Sequence, residues 1–252
     1  MLPIIRGWAD AQRTPRTNLR LGATLAFVAG AANAGGFLAV GRYTSHTTGV
    51  VSSAADHLVL GEWRLAGAAA ASLATFIAGA MCTALLVNWG QRRRLHSCYS
   101  LPLLIEAGFL MLFGLLGASL GLHSALLLPA TVLLLCFIMG LQNAVITKIS
   151  RAEIRTTHVT GLATDLGIEF GKLLYVNRNE ALAQVRANRE RLRTHGLLIS
   201  CFFVGGLIGA LGFKWVGYIT TVPLALLLLL LCLKPLWRDV NERFVSPWSA
   251  TR

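Results

Sequence analysis

The sequence predicts an all-α membrane protein of about six transmembrane helices, built as two inverted three-helix repeats with both termini cytoplasmic. Three observations lead there. The 252 residues are 55% hydrophobic and only 13% charged, with a mean hydropathy of +0.62, whereas a soluble domain carries about a quarter charged residues. Six apolar runs are each long enough to cross a bilayer. A polar motif occurs twice, once in each half of the chain. The formal charge of +12 would suit a nucleic-acid partner, but a domain this apolar does not fit that class. The same composition excludes a soluble enzyme.

The runs are Leu21–Gly41, Leu65–Asn88, Leu101–Leu122, Ala125–Ile146, Gly196–Phe213 and Trp215–Leu233. A crossing helix needs roughly 20 mostly apolar residues, which each run meets or approaches. Spans three and four are joined by Gly121-Leu122-His123-Ser124, and spans five and six by Gly212-Phe213-Lys214-Trp215, so both joints read as tight hairpins. Residues 1–20 form a cytoplasmic N-terminal segment and 21–122 the first repeat. Residues 123–234 form the second repeat, holding a cytoplasmic segment at 148–195, and 235–252 form a cytoplasmic tail. The first span could pass for a secretory leader ending near Ala32-Asn33-Ala34. Its apolar run continues through Phe37–Val40, which favours a membrane span.

Basic residues set the orientation. With the N-terminus inside, the inner segments hold Arg6, Arg13, Arg16, Arg20 and Arg92–Arg94. They also hold Lys148, Arg151, Arg155, Lys172, Arg178, Arg186, Arg189, Arg191, Arg193, Lys234, Arg238, Arg243 and Arg252. The outer segments hold only Arg42, Arg64 and Lys214. Lys and Arg concentrate on the cytoplasmic side, and six spans return the C-terminus there. The cysteines, Cys82, Cys98, Cys136, Cys201 and Cys232, show no CxxC spacing, so neither a metal site nor a disulfide framework is expected.

The doubled motif comes next. Gly30-Ala31-Ala32-Asn33-Ala34 precedes Thr44-Ser45-His46-Thr47-Thr48-Gly49, and Gly140-Leu141-Gln142-Asn143-Ala144 precedes Thr156-Thr157-His158-Val159-Thr160-Gly161. Both copies read G-x-x-N-A, a short linker, then T-[ST]-H-x-T-G, with Asp56 or Asp165 following. Three spans per half is an odd number, so the halves run in opposite senses. Inverted repeats with polar, glycine-containing breaks in corresponding places are the pattern of many secondary transporters.

These motifs, with Arg155 before the second, resemble the YoaK-type family of bacterial multi-span membrane proteins, a domain of unknown function. The resemblance runs from about Leu21 to Leu233. The first copy departs from it, because Thr47-Thr48-Gly49-Val50 stands where the family commonly has Met-Thr-Gly-Asn. The resemblance implies a multi-pass protein of the bacterial inner (plasma) membrane and brings no substrate with it.

Ser and Thr are favoured N-caps, so Thr44-Ser45 and Thr156-Thr157 are expected to open helices over Val50–Leu60 and Leu162–Leu174. Helix N-termini attract anionic groups, glycines permit close approach, and histidine responds to protons near neutral pH. A substrate site is therefore expected at Asn33, Thr44, His46, Thr48, Gly49, Asn143, Thr157, His158, Thr160 and Gly161. Asn33 falls near the middle of its span and Asn143 near the inner end of its own. The competing reading is that these residues are helix caps and interhelical glue. Glu106, the one acidic residue inside a predicted span, reads as a proton or ion relay, or as a partner of Arg92, Arg93 or Arg94. Gly205-x-x-x-Gly209 marks close helix contact, and Pro223 a bend in span six. The basic stretch Arg178–Arg193 suits anionic lipid headgroups on the inner face. It lacks the interleaved aromatics of a nucleic-acid platform.

The sequence carries no phosphate loop, H-E-x-x-H or G-x-S-x-G, so neither an enzyme nor a cofactor is expected. The expected function is transport of a small polar or anionic solute by alternating access, in a homo-oligomer. The alternative is a non-transporting scaffold or accessory protein whose motifs serve helix packing.

Overall fold

The structure is a computed structural model that describes residues 9–10, 14–41, 43–119, 124–150, 156–177 and 183–245. Among them it is all-helical. α1 spans Pro15–Val40, α2 Thr47–Val59, α3 Trp63–Arg92, α4 Ser100–Ser119, α5 Ser124–Ile149, α6 Val159–Leu174, α7 Arg189–Trp215 and α8 Thr221–Val245. Six of these, all but α2 and α6, are long and apolar enough to cross a membrane. The protein is therefore a multi-pass membrane-type helical protein, as its composition predicts.

α1 starts sharply because Thr14 and Thr17 cap each other across the first turn, with Pro15 at the position where its missing N–H costs nothing. It ends at Gly41, whose φ of 69° is the left-handed conformation glycine adopts freely. The fifth predicted span is extended at its start. α7 begins at Arg189, where the Asn188 side chain accepts the Glu190 and Arg191 N–H groups, so the basic residues 189–193 form its first turns. The hairpin expected at Gly212–Trp215 lies one turn later. Lys214 and Trp215 stay helical, and Gly217, with φ 73°, turns the chain through a short 3-10 helix at Gly217–Thr220. Pro223 consequently falls in the first turn of α8, where it breaks no hydrogen bond. Pro129 and Pro235 are the prolines inside helices. The predicted turn at Gly121–His123 and the motif-flanking Arg155 lie outside the described residues.

Glycines decide how the helices pair. A Cβ on Gly30 would overlap the Phe202 carbonyl of α7, and one on Gly205 would overlap the Phe27 carbonyl of α1. The same contact recurs with the halves exchanged. Gly140 of α5 lies on the Phe76 carbonyl of α3, and Gly79 of α3 on the Phe137 carbonyl of α5. Small residues at such positions let backbones approach, the usual basis of helix association in lipid. Gly205 meets Phe27 and Gly209 meets Ala31, so α1 and α7 run parallel. Phe76 meets Gly140, and Asn88 meets Lys148, so α3 and α5 also run parallel. The first helix of each half thus packs on the second span of the other half. The Gly205-x-x-x-Gly209 pattern has its expected role.

α4 and α8 pair antiparallel, with the Cys232 thiol donating to the Ser100 carbonyl at one end and Thr221 against Gly114 towards the other. Leu21, Leu25, Leu103, Leu110, Phe113, Leu135, Ile138, Met139 and Leu228 fill the centre. In α1 67% of the apolar window is buried, against 22% in α3 and in α7, so α3 and α7 carry the outward apolar faces. At one end of the bundle Arg238 pairs with Asp10 at 2.7 Å, and Asp239 accepts the N–H groups of His96 and Ser97 at 2.7 and 2.9 Å. The N-terminal segment, the α3–α4 loop and the end of α8 therefore meet, three segments that the basic residues assign to one side.

Candidate functional site

The two asparagines of the doubled motif anchor the segments that follow them. In the first copy the Ser45 hydroxyl donates to Asn33 Oδ1 at 3.0 Å. In the second the Thr157 hydroxyl donates to Asn143 Oδ1 at 2.9 Å, joined by the Thr157 N–H at 3.4 Å and the Thr156 hydroxyl at 3.3 Å. Asn33 precedes the end of α1 by seven residues and Asn143 the end of α5 by six, so the chain turns back along each helix by about 10 Å to reach its amide. The G-x-x-N-A and T-[ST]-H segments are thereby one structural unit. Both asparagines stand at nearly the same place on their helices, seven and six residues before the C-terminal ends.

The hydroxyls bonded to asparagine do not cap helices. The N-cap positions of α2 and α6 are His46 and His158, and neither makes a side-chain capping bond. This corrects the expectation that Thr44-Ser45 and Thr156-Thr157 cap. Each imidazole instead folds over its own first turn. A Cβ on Gly49 would lie 2.9 Å from His46 Nδ1, and one on Gly161 would overlap His158 Nδ1. The motif glycines therefore make room for a histidine ring rather than for a facing helix. Thr44 is buried, its hydroxyl without a hydrogen-bond partner, and its carbonyl accepts from the Cys136 thiol. Thr48 and Thr160, in the first turns of α2 and α6, are exposed.

Parts of both motif copies line one cavity of about 410 Å³ between α3 and α5. Ser45 and Thr47 come from the first copy, and Gly140, Asn143, Ala144, Thr157 and His158 from the second. Phe76, Ala80 and Ala84 form the α3 wall, and Thr147 and Lys148 extend the α5 wall. Of the expected site residues, Asn143, Thr157 and His158 line this cavity. Asn33 supports it through Ser45. Thr44, His46, Thr48, Gly49, Thr160 and Gly161 lie outside its lining.

Among the described residues Lys148 supplies the one ionic charge in that lining, and its ammonium donates to Asn88 Oδ1 at 3.0 Å. In the sequence it is one inner basic residue among many. Its spacing of four from Ala144 and eight from Gly140 puts all three on one face of α5, and that periodicity is the signal that marks it. The described lining thus offers the Lys148 cation, the polar groups of Ser45, Thr47, Asn143, Thr147, Thr157 and His158, and an apolar wall of Phe76, Ala80, Ala84 and Ala144. Such a lining suits a small organic anion. The charge meets the ammonium, hydroxyls take the remaining acceptor capacity, and the carbon body lies against the alanines.

Glu106 is fully buried on α4 and does not reach Arg92, Arg93 or Arg94; it accepts from Gln142 Nε2 at 2.7 Å. Gln142 is fully buried too, so this polar pair lies between α4 and α5, apart from the cavity. Below the second motif, Glu169 fastens α6 to the start of α7, pairing with Lys172 at 2.7 Å and accepting the Asn188 N–H at 2.6 Å. The Lys172 bond first, and then the Asn188 N–H, hold its carboxyl below the ordinary glutamate value. Asp165, the acidic residue after the second motif, stands 3.8 Å from His195 of α7. Among the described residues no cluster of three or more His, Cys, Asp or Glu could hold a metal ion.

A family model described as a protein of unknown function (DUF1275) matches residues 21–233. That is the stretch over which the YoaK-type resemblance extends, and that family falls within it. No curated protein and no solved structure matches the chain.

Proposed function

We propose a function for a chain that belongs to the DUF1275 family, a family whose description assigns none. It transports a small organic anion across the bacterial inner membrane by alternating access, with the α3–α5 cavity as its binding site. The observation that carries this reading is the cavity itself, lined by both motif copies and, among the described residues, by the single cation Lys148. Lys148 attracts the anion, and Thr47, Thr147 and His158 orient it. Asn143 holds Thr157 in the wall, as Asn33 holds Ser45. The exchanged pairing of α1 with α7 and α3 with α5 supports two oppositely facing halves, which give a central site two openings in turn. No covalent chemistry and no cofactor enter this scheme. The basic turns at Arg189, Arg191 and Arg193 suit anionic lipid headgroups.

The second reading, a scaffold without transport, draws on the bonds that tie Ser45 and Thr157 to asparagine, which is what helix glue would do. Purified protein in sealed proteoliposomes separates the two. Radiolabelled acetate, propionate, lactate and benzoate are offered beside their uncharged amides, with empty liposomes as the leak control. Transport predicts protein-dependent uptake of at least one carboxylate above its amide, lost in Lys148→Gln. Uptake equal to that of empty liposomes for all four supports the scaffold.

A further inference from the structure

The Glu106–Gln142 pair is a complete hydrogen-bonding unit with one proton missing. Both side chains are fully buried. Gln142 Nε2 donates to Glu106 Oε1, while Glu106 Oε2 and Gln142 Oε1, both acceptors, have no donor. Among the described residues no Lys, Arg or His lies within ion-pairing distance of the carboxylate. From α8 the titratable neighbour is the Cys232 thiol, which donates to the Ser100 carbonyl, and α5 presents the uncharged Gln142. The charged groups at the end of the bundle, Asp10 with Arg238 and His96 with Asp239 and Glu242, gather before the start of α4 at Ser100, which lies six residues or about 9 Å along the helix from Glu106. One proton taken from water onto Oε2 converts the unit. Glu106 then donates to Gln142 Oε1 as Gln142 donates to Glu106 Oε1, and every polar atom of the pair is satisfied.

The pair is not required by the packing. Ser100-Leu101-Pro102-Leu103 at the start of α4 corresponds to Thr221-Val222-Pro223-Leu224 at the start of α8. On that correspondence Glu106 matches Leu227, and Gln142 matches Ala32 of the first motif. Ala32 is buried in the hydrophobic core and Leu227, half-buried, packs against it, so the other half carries apolar side chains at the corresponding positions. A buried ionisable pair adds little to stability where apolar side chains stand at the corresponding positions, and an ionisable group within a membrane span marks an ion path.

We infer that Glu106 and Gln142 form a binding site for one exchangeable proton, and that this proton is the coupling ion of transport. The coupling role rests on the transport reading above; the proton site does not. Gln142 immediately precedes Asn143, so a change in the amide's hydrogen bonding acts on the residue that anchors Thr156 and Thr157. The test uses the full chain. Infrared spectra of wild type in detergent are expected to show a protonated carboxyl band that fades as pH rises and is absent from Glu106→Gln, whose amide matches the neutral acid in shape. Thermal melting of that variant checks its fold, and Glu106→Leu, which copies Leu227 of the other half, gives a second band-free control. A missing band, a band unchanged at every pH, or one that persists in Glu106→Gln overturns the proton site. In proteoliposomes, uptake of the carboxylates above should rise with an inward proton gradient, and Glu106→Gln should lose that response. Uptake indifferent to the gradient overturns the coupling role. Absence of any uptake counts against transport and leaves the infrared result to decide the site.

Discussion

Replacing each motif asparagine by alanine should cost unequal amounts, although the motif reads the same in both copies. Asn33 accepts one bond, from Ser45, a half-buried residue on the cavity wall. Without it the Ser45 hydroxyl can turn to the cavity, so Asn33→Ala should cost about 1 kcal/mol, the net worth of one hydrogen bond. Asn143 accepts three contacts, and the Thr156 residue behind one of them is fully buried. The 2.9 Å bond contributes about 1 kcal/mol, and stranding a buried hydroxyl adds about 1–3 kcal/mol. The two longer contacts add little. Asn143→Ala should therefore cost about 2–4 kcal/mol, leaving a gap of about 2 kcal/mol, or roughly thirtyfold in an opening equilibrium. Hydrogen exchange of the amides at 156–158, compared with those at 44–46, reads this directly in the full-length protein. Asn143→Ala should speed exchange in its own segment far more than Asn33→Ala does in the other. Equal acceleration, or a larger effect at Asn33, would refute the reasoning that counts the bonds.

Gly161→Ala should push the His158 imidazole off the first turn of α6 and lower carboxylate uptake about tenfold, equivalent to about 1.4 kcal/mol. Gly49→Ala moves only His46, outside the cavity lining, and should leave uptake within about twofold of wild type. Gly79→Val and Gly140→Val place a side chain on backbone carbonyls that cannot rotate aside, and should destabilise the α3–α5 pair by about 3 kcal/mol or more. Gly167→Ala on α6, where nothing lies within 4 Å of the added carbon, should stabilise by about 0.5–1 kcal/mol, and denaturant unfolding of the purified protein reads this variant and the two valine variants alike. The carboxyl of Glu169 is held below the ordinary glutamate value of 4.5. Its contribution is thus present above that value and lost as pH falls toward the depressed one. Exchange at Asn188 should accelerate over that acid range in wild type and be insensitive to it in Glu169→Gln.

The six long helices were legible because lipid forces about twenty apolar residues into one element, and the helix boundaries moved only where local chemistry intervened. Gly217, not Gly212, turns the last hairpin, since Lys214 and Trp215 can extend a helix into the polar edge. The pairing was half legible. Gly205-x-x-x-Gly209 announces a contact, but its partner was hidden in Phe27-x-x-Gly30, which recurs at Phe137-x-x-Gly140, with Phe-x-x-Gly again at Phe76 and Phe202. Carbonyl contacts leave no side-chain signature beyond the glycine that permits them. The motif shows itself by repetition, yet its division of labour does not. Nothing in T-[ST]-H reveals that the hydroxyl serves an asparagine twelve or fourteen residues back, or that the glycine serves its own histidine. Lys148 was masked by its membership in a basic segment, and Gln142 by the apolar residues around it.

The central claim is that one cavity draws on both motif copies. With the five native cysteines replaced, Thr47→Cys carries a thiol from the first copy and Ala144→Cys one from the second, neither disturbing an asparagine bond. A cavity of about 410 Å³ has room for one bulky thiol reagent. Singly, each cysteine should react with a membrane-impermeant methanethiosulfonate, and in the double variant labelling should stop at one reagent per chain, whichever thiol reacts first. Two reagents per chain would mean two separate spaces and would contradict the account.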